Sequence, residues 1–222
     1  MKIDELAANR PSVVLYGAGG HSRSVIGTIL AAQEWRLCGL INTHPTECPD
    51  SVLGYPILGG DDKLEELLQQ GYKRIHVSIG DNRERQQASA KLSALGFELV
   101  SVRSATAEVL PHTTYGAGTF LHSLSLIGGD CQVGRGCIIQ PQSNLGHESR
   151  LGDFVQLAPG VHTGGKCDIA EGVFVGLGAA ILPRIRVGKY AVIGANAVVR
   201  EDVPDYAVVA GNPGRIIKIL PH

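Results

Sequence analysis

From Tyr115 onward the chain counts in sixes. Stepping by six from Tyr115 through Leu121, Ile127 and so on to Val199 gives fifteen positions, thirteen of them aliphatic, so the phase is kept across the whole stretch; only Tyr115 and Thr163 depart. Four places after each, the residue is nearly always small or β-branched, as at Thr119, Cys131, Ser149 and Ala191. A helix would repeat near 3.6 and a strand at 2, and neither fits. Short parallel strands turning a corner every six residues do, which makes a parallel β-helix of triangular section. The aliphatic residue points inward, the small residue fills the corner, and the Gly that most often follows the aliphatic position is expected to permit the turn. Three units close one coil of 18 residues. Residues 115–204 therefore give five coils, stacked about 4.8 Å apart, with a further unit from Val109 beginning the stack.

The first hundred residues carry another pattern. "VVLYG" reads as a buried strand, "SRSVIGTILAAQ" as a helix and "LCGLI" as a second strand. A turn-rich stretch covers 42–60. Then "DDKLEELLQQG" is a helix, "RIHVSI" a strand, "DNRERQQASAKLSALG" a helix ending at Gly96, and "FELVSV" a last strand. Alternating elements predict a small parallel sheet with helices on its faces, a Rossmann-like α/β domain over 1–104 followed by the β-helix over 105–222.

Composition removes several function classes. The net charge is -1 with Lys and Arg scattered, so no basic face is set up for a nucleic-acid backbone. No apolar run approaches the roughly 20 residues that span a bilayer, and "MKIDELAANRPS" lacks the apolar core of a secretory signal; a soluble cytoplasmic protein is expected. The five cysteines, Cys38, Cys48, Cys131, Cys137 and Cys167, show no C-x-x-C spacing and are expected to be reduced, small and buried. No metal is expected, because no convergent His spacing occurs.

Two places concentrate chemistry. The loop "GAGGHS" joins the first strand to its helix, where backbone N–H groups and a helix N-terminus could meet a phosphate or simply make a tight turn. Ser22 stands where a dinucleotide fingerprint has its third Gly, and the second strand ends at Asn42 rather than an acid, which weakens NAD. In the β-helix, residues 18 apart form columns. One is Arg135, Asp153, Glu171 and Lys189, a solvated edge; a second is Pro141, Pro159, Leu177 and Ala195, apolar and suited to a partner subunit or a cofactor arm. The third is Gly129, His147, Gly165 and Pro183, flanked by Asp130, Glu148, Lys166 and Arg184. An imidazole with an ordinary pKa of about 6.5 can act as a general base, a neighbouring carboxylate can fix its tautomer, and a Gly one coil on can offer an N–H to an oxyanion. On spacing alone, "GHE" reads equally as a base with its helper or as a solvated corner. His122 and His162 have no comparable neighbour.

The repeats, with the tail "VGKYAVIGANAVVREDVPDYAVVAGNPGRIIKIL", resemble the hexapeptide-repeat, left-handed β-helix acyltransferases that use acetyl-CoA. The opening "YGAGGH" narrows the resemblance to bacterial sugar acetyltransferases similar to nucleotide-linked amino-sugar N-acetyltransferases and sialic acid O-acetyltransferases. The likeness covers the chain after residue 11, with Gly214 where the family usually has Ala. It implies a catalytic His147 with Glu148, and a backbone amide at Gly165 near the thioester. It also implies a homotrimer in which CoA lies between subunits along Gln156, Gly165, Leu177 and Ala195. The nucleotide sugar would be held by Gly19, Gly20, His21, Asn42, Thr43, Gly80 and Arg83. Gln156 stands where some members have a second His, and Asn42 where most have Asp.

Together these readings predict an acetyl-CoA-dependent N-acetyltransferase acting on the 4-amino group of a nucleotide-linked dideoxy sugar, serving bacterial surface glycan biosynthesis. O-acetylation of a sialic acid or related sugar is the alternative within the family. A non-catalytic β-helix assembly module and, more weakly, a metal-dependent hydratase are the alternatives outside it.

Overall fold

The computed structural model of the chain describes residues 10–43 and 50–221, so Cys48 and the first nine residues lie outside the described residues. They divide into two compact units, Met1–Ala105 and Thr106–His222.

The first unit is a twisted sheet between helices. Its elements are β1 (Ser12–Tyr16), α1 (Gly20–Ala32), β2 (Arg36–Ile41), β3 (Ser51–Val52), β4 (Tyr55–Gly59), α2 (Leu64–Gln69), β5 (Arg74–Val77), α3 (Asn82–Leu95) and β6 (Glu98–Leu99). The sheet order is β3-β4-β2-β1-β5-β6, parallel throughout except for the β3–β4 hairpin. Strand alternation sorts the core. Val14 and Tyr16 pack with Leu64 and Leu67 of α2 and Ala88 and Leu92 of α3, while Val13, Leu15, Val25, Ile26 and Ile29 are also buried.

Two details depart from expectation. The stretch 42–60, read as turns, contains β3 and β4, and β4 pairs with β2. Gly39 makes room for that pairing: its φ is +156, and a Cβ there would sit 2.8 Å from the Pro56 carbonyl oxygen. The last strand divides into Glu98–Leu99 and a separate short strand, Val102–Arg103.

The second unit is the parallel β-helix. Two-residue strands pair at an offset of 18, as in Phe120↔Ile138, Gln132↔Arg150 and Leu126↔Asn144, until the end of the stack, where Val187↔Val203 and Val192↔Val208 shorten it to 16. The first face carries strands such as Gln156–Leu157 and Phe174–Val175, the second Asn144–Leu145 and His162–Thr163, the third Arg150–Leu151 and Asp168–Ile169. The inward aliphatic series forms one continuous core with the corner residues Cys131, Cys137, Val155 and Cys167. These three cysteines are free and buried; Cys38, also free, is only half-buried, contrary to expectation.

The Gly after the aliphatic position has a different purpose from the one expected. Positive φ falls two residues later, at Asp130, Glu148, Lys166 and Arg184 among others. The glycine instead permits close stacking of coils. A Cβ on Gly128 would stand 2.6 Å from the His147 nitrogen, and one on Gly134 2.6 Å from the Asp153 nitrogen.

Candidate active site

The corner between the second and third faces gathers the chemistry of the β-helix. His147 Nδ1 lies 3.1 Å from Glu148 Oε1, and Lys166 Nζ lies 3.1 Å from Glu148 Oε2. Contact with the Lys166 ammonium outweighs the opposing effect of desolvation and, with a further contribution from His147, holds the Glu148 carboxyl below the usual carboxylate range. The side chains are open to solvent, His147 at 64% and Glu148 at 46%. With Nδ1 turned to the carboxylate, Nε2 is the nitrogen left to exchange a proton.

Gly165 is adjacent to this ring. A Cβ on Gly165 would come within 2.5 Å of His147 Nε2 and 2.6 Å of Cε1, so the imidazole lies over the space the glycine leaves. Among the described residues no acceptor takes the Gly165 N–H, whereas its carbonyl accepts from Arg184 N–H at 3.0 Å. A base nitrogen and an available amide donor thus lie side by side.

Thr163, one of the two breaks in the aliphatic series, explains a local irregularity here. At neighbouring corners the glycine N–H donates to the next coil's carbonyl, Gly128 to Leu145 and Gly164 to Ile181, both at 2.8 Å. At Gly146, directly before His147, the Thr163 hydroxyl accepts the bond instead, at 2.9 Å. Asn144 Oδ1 meets the Thr163 N–H and the His162 ring, each at 3.2 Å, so His162 is bound into the second face. His122 accepts from the Ser123 N–H and packs edge-on against Phe120.

The remaining residues of the expected cofactor set do not join this corner. Leu177 and Ala195 are exposed on the corner between the first and second faces, and Gln156 is part-buried on the first face. Leu177 is 57% exposed. Within one chain, a ligand at His147 and Gly165 is therefore separated from Leu177 and Ala195 by the width of the second face.

In the N-terminal unit the expected residues cluster at the carboxyl ends of β1, β2 and β5. There α1 and α3 leave to opposite faces of the sheet, the place where open α/β sheets bind ligands. Gly17, at φ +110, leaves room for the β5 end: a Cβ would meet Ile79 Cγ1 at 2.9 Å. The Ser78 hydroxyl donates to the Gly17 carbonyl at 2.6 Å. His21 faces Gly80, with 4.0 Å between its Cβ and the position of a Cβ on Gly80. Asn42 is buried and Thr43 part-buried after β2.

The two helix starts differ. At α1 the cap is Gly19, with no side-chain cap and no acidic residue in the first turn, and the Ser22 N–H donates to the Gly19 carbonyl at 3.2 Å. At α3 the Asp81 carboxylate accepts the Arg83 and Glu84 N–H groups, each at 2.9 Å, so that N-terminus is closed. Gly80 and exposed Arg83 border the site, but the α3 amides do not face an anion.

Two constellations here escaped the sequence reading. The Tyr16 hydroxyl donates to Asp61 at 2.7 Å, and Lys91 pairs with the same carboxylate. Burial, followed by the Asp61 contact, pushes the Tyr16 phenol well above its ordinary range. Tyr16 and Lys91 border a cavity of about 260 Å³ lined also by Thr43, Ile79, Glu84, Gln87 and Ala88. The second is Arg85, 1% exposed, whose guanidinium donates to the carbonyls of Ile79, Gly80 and Asp81 and to Asn82 Oδ1. Its place in phase with buried Ala88, Ser89 and Leu92 is the signal that could have found it.

Comparison with known proteins covers both units. Residues 12–92 match the PglD N-terminal domain family. The chain is 28% identical over 217 residues to the GDP-perosamine N-acetyltransferase of Escherichia coli O157:H7, covering 93% of this chain and 96% of that protein. The crystal structure of PerB from Caulobacter crescentus, in complex with CoA and GDP-perosamine, matches with a TM-score of 0.89 at 33% identity, covering 93% of this chain and 97% of that one. The acetyltransferase domain of PglB from Neisseria gonorrhoeae, in complex with acetyl coenzyme A, matches with a TM-score of 0.86 at 28% identity, over 94% and 100% of the two chains.

Proposed function

The chain belongs to the hexapeptide-repeat N-acetyltransferases of nucleotide-linked amino sugars, which use acetyl-CoA, and from that premise we propose that it acetylates the 4-amino group of a nucleotide-linked dideoxy sugar. The observation that carries the chemistry is the His147–Glu148 pair lying over Gly165 with its N–H available. The neutral amine attacks the thioester carbonyl while His147 Nε2 takes its proton. Glu148 holds Nδ1 and stabilises the imidazolium. The Gly165 N–H receives the oxyanion of the tetrahedral intermediate. On collapse the C–S bond breaks, CoA leaves as thiolate, and the imidazolium returns the proton to sulfur.

Direct attack is supported by the thiols. Cys131 and Cys167 are buried, burial pushes both up, and their S–H groups meet carbonyl oxygens, so neither is an activated nucleophile.

The α1 start at Gly19, Gly20 and His21, which carries no side-chain cap, with Asn42, Thr43, Gly80 and Arg83, would hold the nucleotide. The relatives named for GDP-perosamine support an amino sugar as the acceptor. Leu177 and Ala195, displaced from His147 within one chain, would be supplied by a neighbouring subunit of a homotrimer, along whose cleft CoA would lie past Gln156. We place the reaction in the cytoplasm, ahead of surface glycan assembly. No helix among the described residues is long and apolar enough to cross a membrane.

The test is a panel of GDP-, UDP- and dTDP-linked 4-amino sugars and free sialic acid, assayed with the native enzyme and with His147→Asn. One of the nucleotide amino sugars should be N-acetylated, and His147→Asn should lose at least about a hundred-fold in kcat while binding acetyl-CoA as before. Acetylation of sialic acid alone, or near-normal turnover by the variant, would overturn the corresponding half of the reading.

A further inference from the structure

Lys166 stands one coil beyond Glu148 at the same corner position. Both backbones are left-handed there, with φ of 61 and 56, so the two side chains leave the stack at equivalent places. The Lys166 N–H donates to the His147 carbonyl at 2.8 Å, and the Glu148 N–H donates to the Gly129 carbonyl at 2.9 Å. An ammonium, a carboxylate and an imidazole follow in line, each contact 3.1 Å, with one partner on each carboxylate oxygen. The other titratable or charged residues of this column are His112 and Asp130, two coils and one coil before Glu148, and Arg184, one coil after Lys166. The carboxylate is perturbed by Lys166 and His147 and not by those three.

We propose that Lys166 is a positioning residue of the acetyl transfer: by holding Glu148 Oε2 it keeps Oε1 on His147 Nδ1 and so presents Nε2 above Gly165. The inference rests on His147 being the base. Two effects follow from one contact. The ammonium restrains a carboxylate that would otherwise rotate freely on an open corner. It also sets a positive charge 3.1 Å from the carboxylate, balancing the negative charge that stands beside the imidazole. An exposed ion pair of this kind contributes little to stability, so its removal reads out catalysis and not folding.

The experiment compares Lys166→Met, Lys166→Arg and Glu148→Gln, singly and with Lys166→Met added to Glu148→Gln, following kcat and KM across about pH 5 to 9. Lys166→Met should lower kcat by about three- to ten-fold at neutral pH with the KM for acetyl-CoA within about two-fold, and should move the acidic limb of the profile upward by about half a pH unit or more. Lys166→Arg should restore the limb and most of the rate. Adding Lys166→Met to Glu148→Gln should cost nothing further, because the contact is already gone. An unchanged profile and rate in Lys166→Met, with His147→Asn inactive, would overturn the role of Lys166 while leaving the base in place. A raised acetyl-CoA KM without a shifted limb would overturn it in favour of a ligand contact. If His147→Asn kept its turnover, the underlying reading would fall first.

Discussion

Gly165 and His147 share one column, and the side chain that the first lacks is the space the ring of the second occupies. A methyl group at Gly165 would overlap Nε2, Cε1 and Cδ2 of the imidazole, with the backbone of the next coil preventing retreat. Gly165 has no positive φ among the residues that show one, so alanine is compatible with its backbone and the conflict lies with the ring alone. Gly165→Ala should therefore fold normally and turn the imidazole away from its line over the amide, lowering kcat by about ten-fold or more, the effect expected when a base is misplaced by about an ångström. Steady-state kinetics beside a thermal melt decide this. A variant with full turnover would show that the ring does not work from the position seen.

At the scale of elements, Arg85 links α3 to the loop that ends β5. Its guanidinium donates to three successive carbonyls, Ile79 to Asp81, at 2.9–3.3 Å, fixing the loop that carries Gly80 opposite His21. Arg85→Met would take these donors from part-buried carbonyls, of which only that of Asp81 keeps the Arg85 N–H, a loss of about 1–3 kcal/mol of stability. It should also raise the KM for the nucleotide sugar about ten-fold, with the KM for acetyl-CoA unchanged, since that loop lies in the N-terminal unit; Lys at this position should recover part of both. Urea unfolding and the two KM values check it, and an equal change in both KM values would argue against a local effect. This arrangement also marks where the sequence stops being informative. The offset of 18 is rigid, so counting alone placed Gly165 and Lys166 beyond His147 and Glu148. The N-terminal unit has no such ruler. Tyr16, Asp61 and Lys91 are brought together from three elements by packing of α3 on the sheet, and β4, with Pro56 and Gly59 in it, reads as turn until β2 supplies a partner strand. The mixed role of glycine in the coils was hidden for a related reason: composition shows that Gly is present, but only the next coil's backbone shows that space, not φ, selects it.

For the whole molecule, the exposure of the site within one chain is the fact that needs a cause. His147 is 64% exposed, and the apolar Leu177 is 57% exposed on a different corner, although both are expected along the same bound acetyl-CoA. Closed cyclic assembly reconciles them, because rotation of identical subunits brings the second corner of one chain against another corner of its neighbour. A trimer at micromolar concentration in sedimentation equilibrium is the first expectation, but the sharper one concerns shared sites. His147→Asn removes the base, and Leu177→Glu sets a charge where the apolar arm of CoA should lie; each variant alone should be nearly inactive. If every site takes His147 from one subunit and Leu177 from the next, any trimer containing both variants has one site with both native residues. Random exchange at equal amounts makes about three quarters of trimers mixed, and one site in three of those is intact, so about a quarter of native activity should return. Mixing the two purified variants under conditions that permit subunit exchange, then assaying acetyl transfer, makes the measurement. Activity that stays at the level of the separate variants, with exchange verified by mass-tagged subunits, would place both residues in a site built within one chain.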